Sequence, residues 1–318
     1  MKKTTINEVD KVEILTLQDN YIEMTATDSN AVVSRARPLK DGQIRASVSA
    51  EHGYSAVVKT TTNGQTRTML FDFGFSENGA ADNALTLGVD MNQVETIALS
   101  HGHSDHMGGM ERLTALIDKR EIPLVVHPAV FKFPRYLKYG DGIKIHFPQF
   151  TRERAEQAGL RIVEAPEPYP LLDGDVLFLG EIPRQTDFEK GFPVAHYEED
   201  GVELWDAIED DTSIVMNLKG KGLIVLSGCA HAGIVNTVRH AVDVTGISQV
   251  YAVMGGFHLS GPLFEAIIDR TTEELKKYHP TYIIPCHCTG RKAIMAMEKE
   301  MPEQFILNMA GTTLTFAA

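Results

Sequence analysis

Apolar residues in the N-terminal third of the chain occur in short runs that favour β-strands. Four such runs lie at residues 12–17, 54–59, 68–73 and 94–100. The turn-forming pair Asn63-Gly64 separates the second run from the third and predicts a hairpin between them. The fourth run is followed directly by His101, so a strand is expected to end beside this residue.

In the C-terminal half, short apolar runs alternate with segments in which apolar residues recur every three or four positions. The predicted strands are residues 213–217, 223–227, 249–254 and 281–285. A helix is predicted from Ile234 to a stop at Gly246, and another is predicted to start at Pro262. This alternation predicts an α/β (α+β) fold, with mixed sheets and helices on their outer faces.

The chain has 318 residues, which suits one large domain spanning residues 1–318. Residues 128–211 combine aromatic, acidic, proline and glycine residues with little periodicity. We interpret this segment as an irregular insertion that caps a site. Residues 29–51 are polar and are predicted to form a loop that could also cover a site.

Composition narrows the classes of partner. The formal net charge is −13, which argues against nucleic acid because phosphate backbones are bound through lysine and arginine. No apolar run reaches the length of a membrane span or of a signal peptide. The three cysteines do not suggest a disulfide framework. We therefore expect a cytoplasmic protein with reduced thiols and a small-molecule substrate, and the oligomeric state stays open.

Four of the six residues 101–106 are potential metal ligands, namely His101, His103, Asp105 and His106. His101, His103 and Asp105 can point the same way if the backbone stays extended after the strand. Imidazole nitrogens combined with one carboxylate suit zinc, and iron or manganese is also possible. The cluster therefore predicts a metal site, with zinc as the expected metal.

Further ligands must come from other segments, because neighbours in sequence cannot surround an ion. His231, His258 and His287 each follow a predicted strand, and sites in α/β folds collect at one end of the strands. His231 and His287 are expected as ligands, whereas His258 could instead hold substrate. Asp72 also ends a strand and could accept an imidazole N–H from a ligand, or simply form a turn.

These motifs resemble those of the metallo-β-lactamase superfamily. A finer match is to a subfamily identified with dihydropterin–ribofuranosylaminobenzene phosphate synthases of methanopterin biosynthesis. It is carried by Gly-Glu-Ile-Pro-Arg (180–184), Ser-Gly-Cys-Ala-His-Ala-Gly-Ile (227–234), Gly-Gly-Phe-His-Leu (255–259) and Pro-Cys-His-Cys-Thr-Gly (285–290). The resemblance implies a four-layer αββα sandwich with two metal ions at its edge.

The resemblance also implies a ligand set: His101 and His103 for one metal, Asp105 and His106 for the other, and His231 and His287 completing both. The sequence departs from the common pattern at Cys229, where many members have a bridging aspartate. Either Cys229 bridges or ligates, or only one metal binds tightly.

Three hypotheses for function follow. The first is a metal-dependent hydrolase-like enzyme acting on an ester or phosphoryl bond of an anionic, phosphodiester- or nucleotide-like molecule. In it Asp105 and His258 are candidate catalytic residues, and Arg184 or Arg291 could hold the anionic group. The second is a synthase that joins a dihydropterin diphosphate to an aminobenzene-type nucleophile. The third is a metal-binding or sensing protein without turnover.

Overall fold

Two large β-sheets form the centre of the molecule. The computed structural model describes residues 3–37, 39–44 and 47–318. The N-terminal sheet has eight strands, in the spatial order Leu160–Glu164, Ile122–Val126, Val94–Ala98, Gln65–Phe71, Ser55–Thr62, Lys11–Gln18, Thr313–Ala317 and Val33–Ser34. The C-terminal sheet has seven, in the order Tyr169–Leu171, Val176–Phe178, Ser213–Leu218, Gly222–Ser227, Val250–Gly256 and Tyr282–Cys286, with Glu8–Val9 paired to Ser213–Leu218.

Helices cover the outer face of each sheet. Those associated with the N-terminal sheet are Gly79–Leu87, Ser104–Met107, Met110–Ile117 and Arg152–Gln157, and those associated with the C-terminal sheet are Ile234–Thr245, Ile268–Lys276 and Arg291–Glu300. Single 3-10 turns lie at Met91–Gln93, Pro128–Phe131, Gly140–Gly142, Leu172–Gly174, Glu265–Ile267 and His287–Thr289. In the described part of the chain, no helix is long and apolar enough to cross a bilayer.

Three apolar clusters separate these layers. One lies between the sheets and contains Phe71 and Met216. The second packs the C-terminal sheet against its helices and contains Val225 and Val238. The third packs the N-terminal sheet against its own helices and contains Leu113. The order helix, sheet, sheet, helix confirms the predicted four-layer αββα sandwich.

The segment predicted to be irregular, residues 128–211, contains more regular structure than its composition suggests. It supplies edge strands to both large sheets. It also forms a separate flanking sheet of four short antiparallel strands, in the order Lys144–His146, Arg135–Lys138, Ala195–Glu199 and Val202–Trp205. Strands this short leave little periodicity in the sequence.

Two other sequence-based boundaries differ from the structure. The helix predicted to start at Pro262 begins instead at Ile268, after the 3-10 turn, so that prediction was wrong. Residues 29–51, predicted as a loop, include short strands at Val33–Ser34, Leu39–Lys40 and Gln43–Ile44. Residues 38, 45 and 46 of that segment lie outside the described residues.

The strand register positions the site. Gly222–Ser227, Val250–Gly256 and Tyr282–Cys286 are parallel neighbours, with Ser227 opposite Gly255 and Gly256 opposite Cys286. Their carboxyl ends therefore lie side by side at one edge of the sandwich. The loops that follow these three strands carry His231, His258 and His287 to that edge.

Candidate metal centre

The histidine-rich loop follows the strand Val94–Ala98 and is anchored by two buried carboxylates. Asp72 accepts hydrogen bonds from the backbone N–H of Ser100 at 2.6 Å and from its hydroxyl at 2.7 Å. Asp210 accepts the backbone N–H of Gly102 at 2.8 Å. These contacts hold the loop so that its histidines point into the molecule, where His101 and His106 have no exposed surface.

One group of candidate ligands brings together His101, His103 and His231. The Nε2 atoms of His101 and His231 are 3.2 Å apart. The ring centroids of His101 and His103 are 4.5 Å apart, and those of His103 and His231 are 4.8 Å apart. Three imidazoles from two distant segments thus lie in contact with one another.

A second group brings together Asp105, His106 and His287. The Nε2 atoms of His106 and His287 are 3.2 Å apart, and the Oδ2 atom of Asp105 lies 3.2 Å from His287 Nε2 and 3.7 Å from His106 Nε2. His52, which was not predicted to lie at a site, contacts the same Asp105 oxygen at 3.3 Å.

Cys229 lies between the two groups. Its thiol is 3.1 Å from His106 Nε2. It belongs to one set of potential donors with Asp105, His106 and His287, and to another with His101 and His231, and within each set the donor atoms lie within 4.8 Å of one another. Cys229 therefore occupies the position from which a single side chain could contact both ligand groups.

The chemistry of this donor set fits divalent metal ions. Burial lowers the pKa of His103 and that of His287 to about 4, and it holds the pKa of His101 well below the ordinary value. Neutral imidazoles offer lone pairs to a metal. The buried His103 Nε2 has no hydrogen-bond partner among the described residues, and two Nε2 pairs approach within 3.2 Å. A bound cation would satisfy a buried ring nitrogen that has no donor and would also account for ring nitrogens that lie this close together.

His106 is held differently, by a carboxylate on each side of its ring. Burial alone would lower the pKa of His106, but Asp105 and Asp72 outweigh it and raise the pKa above its ordinary value. Asp72 contacts His106 Nδ1 at 2.7 Å. Asp72 thereby fixes the tautomer that leaves Nε2 free to ligate, as expected for a carboxylate behind a metal-binding histidine.

Replacing Asp72 with alanine should weaken metal binding by about 10- to 100-fold, because His106 loses the acceptor that orients its ring. Asp72→Asn is the control of matched size: its amide oxygen can still accept the Nδ1–H, but its NH₂ group then faces the Ser100 N–H, so a smaller but measurable loss is expected. Competition with a chromophoric chelator measures both affinities. Wild-type affinity in Asp72→Ala would show that Asp72 has no part in orienting the ligand.

A cavity of about 400 Å³ opens above these residues. Its floor includes His103, Asp105, His231 and His287, and aromatic residues form part of its wall. Phe147 stacks on the ring of His103, with centroids 4.3 Å apart and planes 12° apart. Phe147 follows the flanking sheet, so residues 128–211 do contribute a wall to this cavity.

Comparison with known proteins agrees with this geometry. The sequence profile of the Metallo-beta-lactamase superfamily matches residues 50–196. A Methanocaldococcus jannaschii protein named 7,8-dihydropterin-6-methyl-4-(beta-D-ribofuranosyl)-aminobenzene-5'-phosphate synthase is 34% identical over 275 residues, which cover 84% of this chain and 90% of that protein. The chain belongs to the metallo-beta-lactamase superfamily. The resemblance inferred from its motifs is confirmed.

Two further similarities are consistent with this membership. An uncharacterized protein of the same organism is 30% identical over 258 residues, or 79% of this chain and 88% of that protein. A solved structure described as a metal-dependent hydrolase of the beta-lactamase superfamily has a TM-score of 0.71 and 21% identity, covering 96% of this chain and 100% of the other, which shows the fold. The superfamily and the named synthase support the prediction of an enzyme, either a hydrolase or a transferase.

His258 and the two candidate arginines lie in different settings around this centre. The His258 ring centroid is 4.1 Å from that of His231, and neither of its buried nitrogens has a partner among the described residues. Arg184 donates to the backbone oxygens of Ala207 and His231. Arg291 is exposed and lines cavities next to the metal centre. Neither arginine is among the described residues that line the cavity over the metal centre.

Sequence reasoning missed the residues that support the ligands from behind. Asp19 accepts the backbone N–H of His287 at 2.9 Å, and Asn20 donates to its carbonyl at 3.1 Å. Arg135 forms buried ion pairs with Asp206 and Asp210. Asp19 directly follows a strand, as Asp72 does, and this position is the one sequence feature that could have identified it.

Cys229 offers a direct test of the metal number. Cys229→Ala should lower the bound metal from two equivalents toward one, because both ligand groups lose a shared donor. Cys229→Asp should retain two, since its carboxylate restores the bridging residue common in the superfamily. Metal content after dialysis is measured by mass spectrometry, and the cobalt-substituted wild type should show thiolate absorption that both variants lack. Unchanged metal content and absorption in Cys229→Ala would exclude ligation.

Proposed function

We propose that this enzyme breaks an ester or phosphoryl bond in a small anionic molecule at a divalent metal centre, with water as the acceptor. The observation that carries the proposal is the convergence of histidine imidazoles, the Asp105 carboxylate and the Cys229 thiol beneath a cavity open to substrate. The donors His101, His103, Asp105, His106, Cys229, His231 and His287 would hold the metals, with zinc as the expected ion.

Charge compensation supports this role for metals. No lysine or arginine is among the described residues that line the cavity, and the chain carries a formal net charge of −13. An anionic substrate therefore needs positive charge from bound cations. When bound, divalent metals polarise ester or phosphoryl oxygens and lower the pKa of a coordinated water toward neutrality.

The side chains around this centre supply positioning. The side chain of Asp105 is 14% exposed. Burial alone would raise its pKa, but the nearby His106 and the hydrogen bonds to His287 and His52 outweigh burial and hold the pKa well below the ordinary value. Its carboxylate is thus ionised and available to ligate or to accept a proton. His258 is neutral, because burial lowers its pKa to about 3, and its free nitrogens can hydrogen-bond substrate.

The test is a panel of phosphodiesters, phosphomonoesters, carboxylic esters and lactones, offered to protein loaded separately with zinc, manganese or ferrous iron. We expect turnover of at least one class that disappears on chelation and returns when metal is restored. Metal binding with no turnover of any class would contradict hydrolysis. Failure to bind metal would contradict the whole proposal.

A second candidate function is favoured by one specific observation, the 34% identity to the named synthase across 84% of this chain. In this alternative a C–N bond forms between a dihydropterin methylene carbon and an arylamine nitrogen. The C–O bond to diphosphate breaks, and diphosphate and the amine proton are released. Incubation of metal-loaded protein with both substrates should then yield the joined product and diphosphate. Release of diphosphate without joined product would favour hydrolysis instead.

A further inference from the structure

Two of the three cysteines meet at the cavity above the candidate metal centre. Cys229 and Cys288 both line this cavity, and their Sγ atoms lie within 4.8 Å of each other. Both thiols are free, and the Cys288 thiol lies 3.5 Å from the backbone oxygen of Cys229. A disulfide brings two sulfurs to about 2 Å, and rotation between staggered positions moves a thiol sulfur by about 3 Å. Side-chain rotation can therefore close the gap.

The absence of a side chain at Gly256 allows this approach. Cys229 and Cys288 follow two strands of the C-terminal sheet, and the strand Val250–Gly256 lies between those strands. Strands two positions apart are separated by about 10 Å, which is farther than a disulfide spans. At the end of the middle strand, however, a Cβ atom added to Gly256 would lie 2.6 Å from Cys288 Sγ and 3.2 Å from the Cα atom of Cys229. The two cysteines therefore meet across a position that glycine leaves open.

The third thiol is placed differently. Cys286 lies in the apolar cluster between the sheets and is not among the described residues that line the cavity above the metal centre. Within the pair that does line it, Cys288 is 7% exposed and Cys229 is 2% exposed. A small oxidant in the cavity therefore reaches the Cys288 sulfur first, and Cys229 is the neighbouring thiol that can react with the product.

We propose that Cys229 and Cys288 form a reversible disulfide that switches metal binding off. Hydrogen peroxide oxidises the Cys288 thiol to a sulfenic acid and releases one water. The Cys229 sulfur then attacks the sulfenic sulfur, so that the S–S bond forms, the S–O bond breaks and a second water leaves. In total the two thiols lose two hydrogens with their electrons, and the peroxide gains them.

The disulfide acts on the metal centre through Cys229. This residue is the donor shared by the two candidate ligand groups, and a sulfur in a disulfide no longer offers a thiolate to a metal. The oxidised protein should therefore bind metal as weakly as Cys229→Ala does. This consequence rests on the proposed function, because it requires the metal centre, whereas formation of the disulfide in metal-free protein does not.

The experiment treats reduced, metal-free protein with hydrogen peroxide in the presence of a chelator. Free thiols should fall from three to one, because two of the three cysteines are consumed. Peptide mapping by mass spectrometry should find Cys229 linked to Cys288. Dithiothreitol should restore all three thiols, as it would not after oxidation to sulfinic acid. After removal of the peroxide and chelator, zinc affinity should be at least about tenfold lower than in the reduced protein, since loss of even a supporting residue has this effect.

Cys288→Ser removes one partner of the disulfide and keeps Cys229. In its reduced form it should bind zinc as the wild type does, and peroxide should neither link Cys229 nor lower the zinc affinity. Cys286→Ser is the matched control, because it removes the thiol outside the pair. It should form the disulfide and lose zinc affinity as the wild type does.

Three results would overturn the inference. The first is a mapped link between Cys286 and Cys288, or three intact thiols in peroxide that oxidises free cysteine. The second is an oxidised wild type that contains the disulfide between Cys229 and Cys288 but has unchanged zinc affinity. The third is weak zinc binding in reduced Cys288→Ser, which would make Cys288 a ligand and not the partner in a switch.

The same samples separate this inference from the proposed function. Protein that binds zinc and turns over substrate but forms no disulfide retains the proposed function and loses the switch. Protein that forms the disulfide but binds no zinc when fully reduced retains the reactive thiol pair and loses the proposed function, and with it the role of the disulfide in metal binding.

Discussion

Replacing His103 with alanine is expected to lower the metal-dependent kcat/KM at least about thousandfold, equivalent to about 4 kcal/mol of transition-state stabilisation. The variant should also lose metal on dialysis. Folding should change little, because the buried Nε2 atom of His103 has no hydrogen-bond partner among the described residues and its ring mainly contacts Phe147 and neighbouring histidines. The measurements are kcat/KM on the best substrate of the panel, metal content and thermal unfolding of the metal-free protein.

His279→Asn is the matched control for this variant. His279 is an exposed histidine outside the candidate centre with a φ of 49°, a backbone conformation that asparagine tolerates. Its activity and metal content should match the wild type. Full metal content and activity in His103→Ala would mean that His103 is not a ligand. A collapse of the metal-free fold would instead show that its loss acts through stability.

The elements that could be predicted are those whose signals are local. The helix Ile234–Thr245 ends where Gly246 adopts a φ of 73°. A glycine directly after a helical pattern is a C-terminal signal that is visible in the sequence. The hairpin around Asn63-Gly64 is equally local, and the structure pairs Thr62 with Gln65 across it. The prediction that a helix starts at Pro262 was wrong because a tight turn and a 3-10 segment precede the helix. The spacing of apolar residues does not distinguish these segments from an α-helix.

The candidate ligands could be predicted because strand ends are visible in the sequence and parallel strands align their ends. This reasoning predicted that His231 and His287 lie near the cluster at residues 101–106, and the structure places them there. The same reasoning could not decide whether Arg184 is free to bind a substrate. In the structure its guanidinium donates to backbone carbonyls. A sequence shows that an arginine is present, but its partners depend on how loops pack.

The contacts that support the candidate ligands from behind could not be predicted from the sequence for the same reason. Asp19 and His287 are 268 residues apart in sequence, and Arg135 and Asp210 are 75 apart. No periodicity links such pairs, since each comes from a loop or a short strand of irregular composition. Only the packing of the flanking sheet against the histidine-rich loop brings the arginine and aspartate together.

The network of Arg135 with Asp206 and Asp210 should therefore be the most sensitive point for stability outside the apolar core. The guanidinium donates to Asp206 Oδ2 at 2.7 Å and to Asp210 Oδ2 at 2.9 Å. The side chains of all three residues are at most 4% exposed. Asp210 in turn accepts the Gly102 N–H, so the network connects the flanking sheet to the metal-binding loop.

Arg135→Met is expected to lower the free energy of unfolding by about 3–5 kcal/mol, because two buried carboxylates lose their counter-charge. Urea unfolding measures it. Arg154→Met is the control: its partner Glu111 is 44% exposed, and exposed pairs contribute at most about 1 kcal/mol. Combining Arg135→Met with Asp206→Asn and Asp210→Asn should recover part of the loss, since no buried charge is then left unpaired.

Metal affinity should fall in Arg135→Met but not in Arg154→Met, because only the former releases the acceptor of Gly102. Equal stability losses in the two variants would show that the buried network is no stronger than a surface pair.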